Sequence, residues 1–114
     1  MRKLIISRQR ALACFGTAYH CIIGQSIEAH QQWASEQDRD VLMTSHAQNS
    51  IRNGETIMME IPEDATTMFI IAYLEQRNLT TQKLTIPAGQ TDLHYVVITN
   101  FDGNRKLSLE LREA

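Results

Sequence analysis

At 114 residues, with 43% hydrophobic and 21% charged side chains, the chain is sized for one globular domain over residues 1–114 with a single core. Its net charge of −2 is uneven: Arg2, Lys3, Arg8 and Arg10 give residues 1–27 a charge of +4 with no acid, leaving −6 for the rest. A net acidic chain without a dense basic stripe is a poor fit to nucleic acid, and no segment approaches the roughly 18 apolar residues of a membrane span.

Residues 2–8 predict a first strand, with Leu4 and Ile6 opposed to Lys3, Ile5 and Ser7, and its basic flanks suit an edge. The apolar run from Leu4 to Ile6 is too short for the h-region of a signal peptide, so the expected location is cytoplasmic. Residues 11–23, ALACFGTAYHCII, predict a mostly buried strand or pair of strands, bent at Gly16 and Thr17. Cys14 and Cys21 lack C-x-x-C spacing and are expected as free thiols.

Residues 26–37 predict the one helix, with Ile27, His30, Trp33, Ala34 and Gln37 on one face and Ser26 as its cap. Such a helix can lie as a lid on an open sheet face. Residues 41–44 predict a short strand, and Asn53-Gly54 a tight turn. That turn launches the pair of strands at the centre of the fold. In residues 56–61, Ile57, Met59 and Ile61 alternate with Thr56, Met58 and Glu60, as in a strand covered on one face. Residues 68–74, MFIIAYL, are apolar throughout, which predicts a strand buried on both faces.

A further strand is expected at residues 83–86, followed by a turn at Pro87-Ala88-Gly89-Gln90. In the last hairpin Leu107, Leu109 and Leu111 alternate with polar residues. With Asp102-Gly103 as a two-residue loop, Leu107 would face Ile98 and Leu109 would face Val96. The whole predicts a two-layer antiparallel β-sandwich of seven to nine strands carrying one helix.

From Ile51 onward, the turn before IMMEI, the apolar strand, LTIPAGQ and the closing hairpin resemble small bacterial immunoglobulin-like β-sandwich domains of the PEGA type, over residues 51–111. The inserted helical stretch, residues 26–49, departs from that pattern. The resemblance implies an accessory or interaction module, with no catalytic residues to carry over.

Chemistry is sparse. His20, His30, His46 and His94 show neither helical nor strand spacing for a metal, so no metal is expected. The five glycines, at 16, 24, 54, 89 and 103, cannot make a phosphate loop, and no cofactor is expected. His20 and Cys21 are neighbours that a strand would point apart, which disfavours a nucleophile and its base. By exclusion the expectation is a non-catalytic module, with a protein partner or self-association through an edge strand, and with neither nucleic acid nor membrane. The alternatives are a small-ligand domain with a sheet-lined pocket near Trp33 and Tyr95, or a Cys-dependent enzyme in which Arg8, Arg10 or His20 from a facing strand activates Cys14. Candidate interaction residues are therefore Trp33, Tyr95, Arg8 and Arg10.

Overall fold

The computed structural model describes residues 1–44, 49–75, 77–101 and 106–114. Along them run Arg2–Arg8 (β1), Tyr19–Ile23 (β2), the helices Ile27–Ser35 (α1) and Arg39–Thr44 (α2), Ser50–Ile51 (β3), Thr56–Ile61 (β4), Thr67–Tyr73 (β5), Asn78–Thr80 (β6), Leu84–Thr85 (β7), Leu93–Phe101 (β8) and Leu107–Glu113 (β9). They form a β-sandwich of two sheets, in the orders β4-β1-β8-β9 and β3-β2-β5-β6, with β7 also paired to β5.

The apolar run after Thr67 explains the layering. Met68, Ile70 and Ala72 of β5 enter the core between the sheets, where they join Leu4, Ile6, Tyr19, Cys21 and Val97. Phe69, Ile71 and Tyr73 point the other way and are covered by Ala34 of α1 and Leu42 of α2. Helices thus make a third layer on the outer face of the second sheet, where the lid was expected.

Ser26 caps α1, its Oγ accepting from the Ala29 amide at 3.0 Å. Residues 41–44 form the end of α2 rather than a strand. Asp38 Oδ1 accepts the Asp40 amide at 2.9 Å, which satisfies a free donor of the first helical turn, and the turn aims Leu42 at β5. Arg39 ties this helix to the β5–β6 turn by donating to the carbonyls of Leu74 and Arg77 and to Asn78 Oδ1.

The first strand is interior, not an edge. It pairs antiparallel with β4 and parallel with β8, so the sandwich is not wholly antiparallel. The reason is the alternation itself. Arg2, Leu4, Ile6 and Arg8 share the inner face, and the two arginines close its ends by donating to backbone carbonyls, Arg2 to Pro87 and Arg8 to three others. Long side chains of this kind bury their stems while the heads find polar partners.

In the last hairpin Leu107 pairs with Phe101, Leu109 with Thr99 and Leu111 with Val97, not with Ile98 and Val96 as a two-residue loop requires. The Asp102-Gly103 turn lies outside the described residues. Pairing with β1 sets the inner face of β8, because Tyr95 sits opposite Ile6 and Val97 opposite Arg8. That choice puts Val96 and Ile98 on the outer face, and the leucines must meet the odd-numbered residues.

Residues 11–23 are the other departure. Only Tyr19–Ile23 is a strand, and Leu12 and Phe15 are exposed rather than buried.

Candidate functional site

The loop joining β1 to β2 is built around Arg8. Its Nη1 donates to the carbonyls of Thr17 at 2.6 Å and Ile51 at 2.8 Å, and its Nη2 donates to that of Cys14 at 2.7 Å. The guanidinium lies 3.4 Å above the centre of the Tyr19 ring. No carboxylate pairs with it among the described residues, so three carbonyl dipoles and a π-face offset the burial of the charge. Burial draws its pKa below the ordinary arginine value, and the neighbouring Tyr19 opposes the shift. Tyr19 in turn bonds Thr99 Oγ1 at 2.6 Å, linking the loop's base to the opposite sheet.

Two further bonds close the loop. The Ala11 amide donates to Asn53 Oδ1 at 2.9 Å, and the Thr17 amide to the Cys14 carbonyl at 3.1 Å. Cys14 has a φ of +60°, a left-handed conformation that costs a residue with a side chain energy and persists only where its surroundings hold it. These bonds and the Cys14 conformation fix how the loop leaves the sheets, and it presents apolar side chains to solvent: Leu12 is 94% exposed and Phe15 72%. Phe15 borders an open depression of about 350 Å³, lined also by Gly16, Thr17, Ala18, Thr44 and Arg52.

The four residues singled out from the sequence do not converge. Tyr95 is 4% exposed on the inner face of its sheet, its hydroxyl pKa raised by burial first and by Glu113 second. Trp33 is 49% exposed on α1, on the far side of β5, so the two cannot line one pocket. Arg8 is the loop's anchor. Arg10 is exposed and lies over Gly54, where an added Cβ would stand 3.3 Å from its Nε, a contact the exposed side chain can yield; it is the φ of +75° at Gly54 that makes the turn favour glycine. Leu12 and Phe15 were missed. Their signal was a spacing of three in a segment otherwise read as a strand, whose inward residues repeat at two.

Two histidines do come together. His20 Nε2 lies 2.7 Å from the Leu42 carbonyl, and its ring centroid is 5.9 Å from that of Tyr73. His30 stands 6.0 Å from Tyr73, 6.3 Å from Phe69 and 5.3 Å from Trp33. His30 Nε2 and the Tyr73 hydroxyl are buried with no hydrogen-bond partner among the described residues. Burial lowers the pKa of both histidines, the Leu42 carbonyl opposing this at His20 and His20 adding to it at His30, and it pushes Tyr73 up to about 12. No group of three metal-ligating side chains occurs among the described residues, and His46 lies outside them.

Both cysteines are free. Burial pushes the Cys21 thiol up to about 12, which leaves negligible thiolate at neutral pH. On the outer face of the first sheet Ser7 Oγ lies 3.1 Å from His94 Nε2 and 3.0 Å from Thr56 Oγ1, a row of cross-strand contacts on an exposed surface.

No family model and no curated protein matches the chain. Among solved structures it is similar to Lip of Serratia marcescens, described as a membrane-bound component of the type VI secretion system, at 13% identity and a TM-score of 0.36, over 99% of this chain and 94% of that one. At that score the likeness decides neither fold nor function. No helix among the described residues is long and apolar enough to cross a membrane.

Proposed function

We propose that this chain is a non-catalytic β-sandwich module that binds another protein through the loop between β1 and β2. The observation that carries the reading is the exposure of Leu12 and Phe15 on a loop whose base is fixed by Arg8. Exposed apolar side chains scattered singly need no explanation, but two on one braced loop, with Phe15 lining a depression, fit an anchor and its neighbouring pocket. Bracing also lowers the ordering cost of association, since the loop's shape is set before the partner arrives.

The test is a paired capture from the cells that make the protein, comparing the unaltered chain with Leu12→Ser/Phe15→Ser. Both substitutions lie on exposed positions, so the melting temperature should hold while capture falls by tenfold or more, about 1.4 kcal/mol or greater. Equal capture by the two would sink the reading. A small-ligand site is the second reading, resting on the same depression. A rise in melting temperature with a small molecule, lost in Arg52→Ala and kept in Leu12→Ser, would favour it instead.

A further inference from the structure

The β4 strand has a free side. Arg8 N–H donates to the Glu55 carbonyl at 2.8 Å, in the register that places Arg2 opposite Ile61. Antiparallel ladders alternate bonded and non-bonded pairs, so the bonded pairs toward β1 fall on Ile57, Met59 and Ile61. Gln9 N–H donates to Val97 at 3.0 Å on the other side of β1, which agrees with that alternation. The N–H and C=O groups of Thr56, Met58 and Glu60 therefore point outward, where no described strand pairs with them.

Other outer strands are shorter or occupied. β3 and β7 have two residues each and β6 has three. β9 gives its Leu111 carbonyl to the Gln82 amide at 3.2 Å and carries Glu110, Arg112 and Glu113. β4 has no proline, no lysine and one acid, and its exposed face centres on Met58. Such an edge lacks the devices that keep strands apart.

We infer that two copies of this chain associate through β4, strand against antiparallel strand, with Met58 facing the partner's Met58 across a two-fold axis. The edge is complementary to itself. In that register Thr56 meets the partner's Glu60, and all of the outward groups pair in a closed, isologous contact. Sliding by one bonded step shortens the ladder, and sliding by two in one direction sets Glu60 against Glu60. On the inner face Ile57 meets the partner's Met59, covering two side chains that the single chain leaves half-buried. The two four-stranded sheets become one. This contact is separate from the loop that carries the proposed function, and either could fail alone.

Light scattering across a concentration series tests it. The mass should rise toward twice 13.0 kDa in the unaltered protein and remain at the single-chain 13.0 kDa in Met58→Pro. Proline at 58 removes an N–H aimed at the free edge and leaves the bonds to β1 in place, so the variant should keep its circular dichroism. If Met58→Pro does not fold, Met58→Lys serves in its place, because it opposes two ammonium groups on the axis. Thr56→Lys should strengthen association at low salt by facing the partner's Glu60. Amide exchange at Thr56, Met58 and Glu60 should slow as concentration rises. A single-chain mass at the highest soluble concentration, or a dimer that survives both Met58 variants, overturns the inference.

Discussion

Replacing Arg8 with methionine is expected to destabilise the domain by about 3 kcal/mol or more, the largest effect of any single substitution near the loop. Methionine keeps the apolar stem that packs among the core residues and removes the donors. Three carbonyls, those of Cys14, Thr17 and Ile51, then lose a charge-assisted bond, and the one at Ile51 is buried. A hydrogen bond to a charged group contributes about 1.5–3 kcal/mol, and water can replace only the less buried of the three. Arg8→Lys should fall between, since one ammonium cannot reach three separated acceptors in the fork geometry of a guanidinium. Arg10→Met, on the surface two residues away, should change stability by no more than about 0.5 kcal/mol. Urea unfolding of the three variants decides the matter, and equal midpoints for Arg8→Met and Arg10→Met would contradict the anchoring role.

Acid should weaken the fold through the helix layer. His20 of β2 and His30 of α1 lie between the helices and the second sheet, His20 against Tyr73 and the Leu42 carbonyl and His30 against Phe69 and Tyr73, with no carboxylate facing either ring among the described contacts. Burial holds both below the ordinary histidine value of 6.5. The sign follows from linkage: as pH falls through 6.5 the unfolded chain takes up protons that the folded chain refuses, so stability is full above that value and declines below it. Each histidine contributes at most about 1.4 kcal/mol per pH unit, so the pair gives a slope approaching roughly 3 where both differ fully between the two states. Melting curves between pH 7.5 and 5 should show the decline, and His30→Leu should reduce its slope by about half. A melting temperature independent of pH over that range would show that the rings are already solvated.

How much of this was legible in the sequence depended on whether one face or two had to be satisfied. MFIIAYL announced a strand buried on both sides, and Ser26 with the His30 and Ala34 spacing announced the helix above it. The hairpin register was not legible, because Val96-Val97-Ile98 offers apolar residues to either face and only the pairing of β8 with β1 chooses between them. Arg2 and Arg8 read as edge markers because charge usually means solvent. Their alternation with Leu4 and Ile6 was the contrary signal, and the inner face prevailed once backbone carbonyls were available as partners. Residues 41–44 went to a helix because Asp38 caps it, a local bond that outweighs the β preference of one valine. The loop after β1 misled most. ALACF has the composition of a core and the position of a display, and composition cannot tell the two apart without Arg8 in place.

The claim on which the proposed function rests is that residues 11–17 are held before any partner binds, and backbone relaxation of the labelled protein measures this directly. Anchoring by Arg8 predicts amide order parameters across the loop near the value of about 0.85 typical of rigid backbone, matching β1 and β2, with a fall in Arg8→Lys. Values below about 0.6 in the unaltered protein would mean that Leu12 and Phe15 are carried on a loose tether, and would contradict a preformed contact surface.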